Sequence, residues 1–206
     1  RRINKNFKKK KVLLIDFDFE SPVLCSHFIK DRPYSGIDNL LPNASQMDKT
    51  RYKTCIVSTG LGIDILPGTE IEGQGQAFTK EIVLSVVNFA KEEYDYVFIV
   101  VNPVNTVPAT IVSLLNAHKV LIVSKNNYAN AKRIDSVLNL IGMFYKRMYP
   151  IYMVFNFTNL KHTKNLLEGA GGDNLKALGV IDYIPKTIDN INLSKKWGQS
   201  SGNDKV

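Results

Sequence analysis

Two carboxylates placed two residues apart, Asp16 and Asp18, are the side chains of this sequence with the clearest capacity for chemistry. They close the run VLLIDFD, in which an apolar segment ends in an acid, an aromatic residue and a second acid. Residues two apart on an extended chain point to the same side. Such a pair can hold a hydrated Mg²⁺ ion and orient an attacking water during phosphoryl transfer. The alternative is that the two acids cap the turn after a strand.

Short apolar runs rich in β-branched residues recur along the chain and indicate the elements that would position these acids. They predict strands at Val12–Ile15, Ile63–Leu66, Val97–Val101, Val120–Val123, Ile151–Phe155 and Val180–Ile181. Unbroken runs of this length are typical of strands buried on both faces. Helical spacing predicts helices at Phe78–Glu93, Val107–Asn116 and Tyr128–Tyr145. The alternation predicts an α/β fold, a mostly parallel, twisted sheet with helices on both faces.

Ligands of parallel sheets bind where the strands end at their carboxyl side. Polar residues follow four of the predicted strands, at 16–18, 102–105, 124–127 and 156–159. The sequence therefore predicts that a ligand site, if there is one, lies at this end of the sheet.

Composition places the chain among ordinary globular proteins. Its 206 residues, 44% hydrophobic and 22% charged, predict one domain over 1–206, with a flexible polar tail at 198–206. The two cysteines, Cys25 and Cys55, are not spaced for a disulfide framework or a metal site, so we expect a reducing, cytoplasmic setting. No apolar run approaches the roughly 18–20 residues that a transmembrane helix needs.

The net charge of +8 is concentrated at one end of the sequence. The first eleven residues, RRINKNFKKKK, hold 7 of the 27 Lys and Arg residues and no acid, which leaves 20 basic against 19 acidic residues elsewhere. A basic run of this kind can bind nonspecific DNA or anionic lipid. The alternative is a solvated segment without a ligand.

Several stretches, in order, resemble the strands of the MinD/ParA group of P-loop ATPases. VLLIDFD resembles the second strand of that family, and GLGIDILPG at 60–68 resembles its next strand. EEYDYVFIVVNP at 92–103 is similar to the strand that precedes the family's Asp-Thr-Pro-Pro motif, and AHKVLIVS at 117–124 is similar to the strand after it. MVFNF at 153–157 and GVIDYIPKTIDNI at 179–191 resemble the last two motifs. The resemblance covers almost the whole chain.

The resemblance implies ATP and Mg²⁺ as ligands and gives roles to five residues. Asp16 would lie near the magnesium ion, and Asp18 would be the catalytic residue that positions the hydrolytic water. Asn102 could contact a metal-bound water, although it brings no negative charge. Asn156 would face the adenine base, and the backbone around Pro185 would close the base pocket. The alternatives are that Asn156 caps a strand end and that Pro185 belongs to a turn.

Two departures from the family pattern concern the phosphates and the metal. The motif Lys-Gly-Gly-x-Gly-Lys-Thr/Ser does not occur in this sequence, and the glycine clusters at 60–62, 73–75 and 169–172 are not followed by Lys-Ser or Lys-Thr. Val100 stands where the family has a magnesium-associated Asp. In the family, the strand before the phosphate loop lies in the middle of the sheet, and its removal would leave backbone groups unpaired. We therefore expect that the chain starts partway through a longer protein, with RRINKNFKKKK at the end of the helix after the loop.

These features leave three functions open. The first is a degenerate MinD/ParA-like scaffold, similar to the CpaE/TadZ branch, that positions a pilus or secretion machine at a cell pole through protein partners. The second is an active ATPase switch in DNA partition or cell-division site placement, with its phosphate loop upstream. The third is a partition factor that holds nonspecific DNA. Members of the MinD/ParA family dimerise through the nucleotide, so a homodimer is expected. Residues 188–206 lack the apolar and basic stripe of a membrane-binding amphipathic helix, so membrane association through such a helix is not expected.

Overall fold

The computed structural model describes residues 10–29, 36–41, 48–70, 74–102, 107–125, 128–145, 150–156 and 175–182. The described residues up to Ser113 belong to one compact unit, and those from Leu114 onwards belong to a second. The basic residues 1–9 and the tail at 198–206 lie outside the described residues. No helix in the described ranges is both long and apolar enough to cross a membrane.

The first unit contains a four-stranded sheet with the order β2-β3-β1-β4. Its strands are β1 (Val12–Phe17), β2 (Val57–Ser58), β3 (Asp64–Leu66) and β4 (Tyr96–Val101). β1 runs parallel to both β3 and β4, and only β2 is antiparallel. The turn between β2 and β3 contains Gly60 and Gly62 at φ values of 71° and 79°, which residues with a Cβ rarely adopt. β1 lies at the centre of the sheet and is almost completely buried, as its unbroken apolar run predicts.

Two helices and the start of a third belong to this unit. α1 (Lys49–Cys55) begins at Asp48, whose side chain accepts a hydrogen bond from the Arg51 amide at 2.8 Å. α2 (Lys80–Glu93) begins at Thr79, and α3 spans Pro108–Asn116. The buried stripe of α2 packs with the side chains of β1 that face it, in a core that includes Leu13, Ile15, Phe17, Val83, Val86 and Ala90. Short 3₁₀ turns occupy Cys25–His27, Ile37–Leu40 and Gln74–Ala77.

The second unit contains a parallel sheet with the order β5-β6-β7. Its strands are β5 (Val120–Lys125), β6 (Ile151–Asn156) and β7 (Leu175–Ile181), and α4 (Tyr128–Phe144) connects the first two. Ile134 of α4 packs against Met153 and Phe155 of β6. β7 has a register shift opposite Met153 and Val154, where Gly179 adopts a φ of 148°. The predicted α/β fold with mostly parallel strands is confirmed.

β4 and β5 differ from the expectation that the strands are buried on both faces. Among the described strands, β4 pairs only with β1, and β5 pairs only with β6. Their burial alternates along the strand instead of being continuous. The physical reason is that only one face of each strand is covered, so large apolar side chains are exposed on the other face, at Tyr96, Phe98, Val100, Leu121 and Val123.

Candidate functional site

Asp16 lies inside β1 with only 2% of its surface exposed. Its Oδ1 accepts a hydrogen bond from the backbone N–H of Asp18 at 3.2 Å, and its Oδ2 accepts one from the backbone N–H of Leu24 at 3.0 Å. These donors replace the water that the carboxylate loses on burial. Asp16 thus holds both ends of the segment 18–24, and the segment folds back over the end of β1.

Asp18 follows β1 directly and is partly buried. Its Oδ1 accepts hydrogen bonds from the backbone N–H groups of Glu20 at 3.3 Å and Ser21 at 3.2 Å. It also accepts one from the side-chain amide Nδ2 of Asn102 at 3.3 Å. Turn capping, the alternative suggested by the sequence, is thus present in the structure. No residue in the described ranges donates to Oδ2 of Asp18, so this oxygen can accept from a bound ligand or water.

Asn102 brings the end of β4 into this site. Phe17 and Val101 are in register, so the residues that follow the two strands are neighbours. The side-chain amide of Asn102 contacts Asp18, while its backbone carbonyl accepts a hydrogen bond from Thr110 Oγ1 at 3.2 Å. Three of the predicted site residues, Asp16, Asp18 and Asn102, therefore lie together. Thr110 was not predicted, and the only signal in the sequence is a hydroxyl residue on the apolar face of a short helix.

Gly68 forms the wall behind Asp16. A Cβ atom at this position would lie 2.9 Å from the Cβ of Pro22, 3.0 Å from the backbone oxygen of Asp16 and 3.3 Å from its Cγ. Only glycine permits this approach of the loop after β3. Sequence reasoning missed Gly68, although a Pro-Gly pair directly after a strand is a turn signal.

Comparisons with known proteins give the fold a name. No protein-family model matches the chain, and no curated protein matches it. Solved structures do match, and the three described next share low sequence identity with this chain. A ParA family ATPase from Chlorobium tepidum TLS is 17% identical, with a TM-score of 0.77 over 91% of this chain and 78% of the other. The MinD cell division protein of Aquifex aeolicus is 21% identical, with a TM-score of 0.67 over 94% and 78%. A putative plasmid partition protein from Borrelia burgdorferi B31, bound to AMPPNP, is 18% identical, with a TM-score of 0.62 over 91% and 79%.

The chain has the MinD/ParA ATPase fold. In this fold the carboxyl end of β1 is the place where the resemblance puts the magnesium-associated and water-positioning acids. The donor set fits a magnesium site in part, because Mg²⁺ takes oxygen ligands and is commonly held by only one or two carboxylates through its waters. No group of three or more His, Cys, Asp and Glu side chains that could hold a metal occurs in the part of the chain that the structure describes.

The position that departs from the MinD/ParA pattern faces Asp16 directly. Val100 of β4 is in register with Asp16 of β1, and 41% of its surface is exposed. An acid at this position would place a second carboxylate beside Asp16. The valine adds no charge and no oxygen ligand there.

Two predicted site residues remain, Asn156 and Pro185. Asn156 ends β6 in the second unit, in register with Lys125 and Ile181. Pro185 lies outside the described residues. Of the basic run, the described Lys10 binds Asp95 at 2.9 Å, and this hydrogen bond raises the pKa of the lysine and lowers that of the aspartate.

Proposed function

We propose that this chain is a MinD/ParA-fold scaffold that positions or assembles other proteins, with a nucleotide site weakened on its metal side. The observation that carries this proposal is the pairing of Asp16 with Val100 across β1 and β4. A scaffold of this kind is similar to the CpaE/TadZ branch, which the sequence resemblance suggested.

The weakness on the metal side has two physical sources. Asp16 is buried and both of its oxygens accept backbone N–H groups, so much of its hydrogen-bonding capacity serves the loop that follows β1. Val100 supplies no charge to compensate the cation. The phosphates also lack their usual anchor within these 206 residues, because the glycine-rich loop and its lysine do not occur in the sequence.

The proposed partners are proteins of a polar or envelope machine, in a cytoplasmic setting, and a second copy of the chain. A solved MinC:MinD cell division protein complex from Aquifex aeolicus, 20% identical to this chain with a TM-score of 0.71, supports protein partners for the fold. Nonspecific DNA is the less favoured partner, and one of the seven basic residues of the run, Lys10, pairs with Asp95.

Calorimetric titration of Mg-ATP into the full-length protein tests the proposal. The scaffold predicts no binding heat at micromolar ATP and no phosphate release above background. Asp18→Asn is the matched variant, because it keeps an oxygen acceptor for the Glu20 and Ser21 amides and replaces the other carboxylate oxygen with an uncharged NH₂ group. Micromolar binding with turnover that Asp18→Asn and Asp18→Ala abolish would contradict the scaffold.

Micromolar ATP binding, with turnover that the Asp18 variants abolish, would support the second candidate, an active ATP-hydrolysing switch in DNA partition or division-site placement. The observation in its favour is the state of Asp18, which three donors hold through Oδ1 while no described residue donates to Oδ2. A carboxylate fixed in this way is suited to orient a water. On this alternative, Asn156→Ala weakens ATP more than GTP, since Asn156 and the backbone near Pro185 would contact the base.

A further inference from the structure

Thr110 is a buried hydroxyl residue in the first turn of α3. Only 1% of its surface is exposed, and Val107, Ala109 and Val112, which are close to it in the sequence, belong to the buried core. Valine would fill the same space without a polar atom, and burying a hydroxyl costs free energy unless it is hydrogen-bonded. A threonine inside a helix commonly donates to a carbonyl three or four residues earlier. Thr110 donates instead to the carbonyl of Asn102, eight residues earlier and outside the helix.

The bond from Thr110 is the first of two that lead to Asp18. Its Oγ1 donates to the Asn102 backbone oxygen at 3.2 Å, and the Asn102 side-chain amide donates to Asp18 Oδ1 at 3.3 Å. The first bond fixes the backbone from which the second is made. We propose that Thr110 is a positioning residue, which holds Asn102 so that its amide orients the Asp18 carboxylate.

This role matters because of how the donors at Asp18 are distributed. Two of the three come from Glu20 and Ser21, in the loop that Asp18 itself caps, so they move with that loop. Asn102 is the one donor among the described contacts of Asp18 that comes from another strand end. The inference bears on the proposed function through Asp18, but the two hydrogen bonds can be tested without nucleotide.

The first test is NMR on the ligand-free protein, with Thr110→Val, Thr110→Ser and Ser113→Ala. Thr110→Val should shift the side-chain NH₂ signals of Asn102 and the carboxyl carbon signal of Asp18, and Thr110→Ser should restore both. Ser113→Ala is the matched control, because Ser113 is a buried hydroxyl of the same helix whose Oγ has no hydrogen-bond partner among the described residues. It should leave both signals in place.

Unshifted Asn102 and Asp18 signals in a folded Thr110→Val protein would overturn the inference. If Thr110→Val does not fold, Thr110→Ala serves as the second variant, since it removes the hydroxyl without placing a methyl group against the Asn102 carbonyl, and the same signals decide. Asn102→Ala should move the Asp18 carboxyl signal in the same direction, because it removes the second bond.

The second test is a titration with Mn²⁺ alone, followed by electron paramagnetic resonance. Where the wild type binds the ion, Thr110→Val should weaken binding about tenfold, while Thr110→Ser and Ser113→Ala should bind like the wild type. Equal binding by all four proteins would count against the role of Thr110 in orienting Asp18. Absence of Mn²⁺ binding by every protein, together with the NMR shifts, would contradict metal binding at the site and still support the positioning role.

Discussion

Asp16 and Val100 are direct neighbours across the parallel pair of β1 and β4 and lie on the same face of the sheet. Adjacent strands are about 4.8 Å apart, so the side chain at 100 ends next to the Asp16 carboxylate. Val100 is partly exposed, whereas Asp16 is buried. A charge at 100 could therefore stay hydrated while it contributes to a cation site.

Val100→Asp should strengthen binding of Mn²⁺ or Mg²⁺ by about tenfold or more, because a second carboxylate then faces the ion. Val100→Asn is the matched control, with a similar shape and no charge, and should bind like the wild type. Calorimetric titration of both variants measures the difference. Equal affinities for the two variants would show that Val100 does not limit the metal side of the site.

Gly68→Ala should lower the free energy of unfolding by about 1–3 kcal/mol, the usual cost of forcing a methyl group into a packed site. The new Cβ would press against Pro22 and the Asp16 backbone. It should also shift the NMR signal of the Leu24 amide, which donates to Asp16. Urea unfolding and amide spectra measure the two effects.

Gly142→Ala is the control for this substitution. Gly142 lies in α4, and a Cβ there would meet no atom within 4 Å apart from its own chain neighbours and the nearby helix backbone. Alanine is about 0.8–1.0 kcal/mol better than glycine in a helix interior, so this variant should be slightly more stable. If Gly68→Ala were as stable as Gly142→Ala, the close packing behind Asp16 would be disproved.

Tyr94→Phe should cost about 1–2 kcal/mol at neutral pH, because the Tyr94 hydroxyl donates to Asp64 Oδ2 at 3.0 Å in a partly buried site. Burial, followed by the charge of Asp64, raises the pKa of Tyr94 above its ordinary value of 10.0. The folded state therefore keeps a proton that the unfolded chain loses. This contribution to stability is complete below about pH 10 and is lost as the pH rises through the folded-state pKa.

Urea unfolding at neutral and alkaline pH measures this effect. Between pH 9 and 11 the wild type should lose more stability than Tyr94→Phe. Asp64→Asn, which keeps an acceptor and removes the charge, should fall between them. Parallel pH profiles for the wild type and Tyr94→Phe would contradict the prediction.

Asp48→Ala should lower the free energy of unfolding by about 1 kcal/mol, the usual value of a helix N-cap. The Asp48 side chain accepts from the Arg51 amide at 2.8 Å, at the start of a helix of only seven residues. Asp48→Ser keeps an acceptor and should retain most of the stability in urea unfolding. A loss as large in Asp48→Ser as in Asp48→Ala would exclude capping as the cause.

Most elements of the fold could be predicted because their apolar runs are local signals. The strands near 12–15, 63–66, 97–101, 120–123 and 151–155 all occur, with ends shifted by up to two residues. β1 extends to Phe17 because backbone donors let Asp16 remain inside a strand. β2 was not predicted, because a strand of two residues is too short to show an apolar run or an alternation of polar and apolar side chains. β7 begins at Leu175, whereas the predicted strand began at Val180. The earlier start was missed because residues 175–178 show no regular alternation of polar and apolar side chains and Gly179 interrupts the apolar run.

The site could be predicted where its geometry follows from the spacing along a strand or from the topology of a parallel sheet. Asp16 and Asp18 share one side because they are two residues apart on an extended chain, and Asn102 joins them because parallel strands end together. The contributions of Thr110 and Gly68 depend on how α3 and the loop after β3 pack against those strand ends. No spacing within the sequence reports such packing.

β4 reads Tyr-Val-Phe-Ile-Val-Val, six residues with neither charge nor proline, and no described strand pairs with its outer edge. Segments of this composition stack with copies of themselves into cross-β fibrils when they remain open. The strand that carries Val100 is thus also an aggregation hazard. A strand from a second copy of the chain can pair with this edge, so aggregation through β4 is expected to rise with protein concentration.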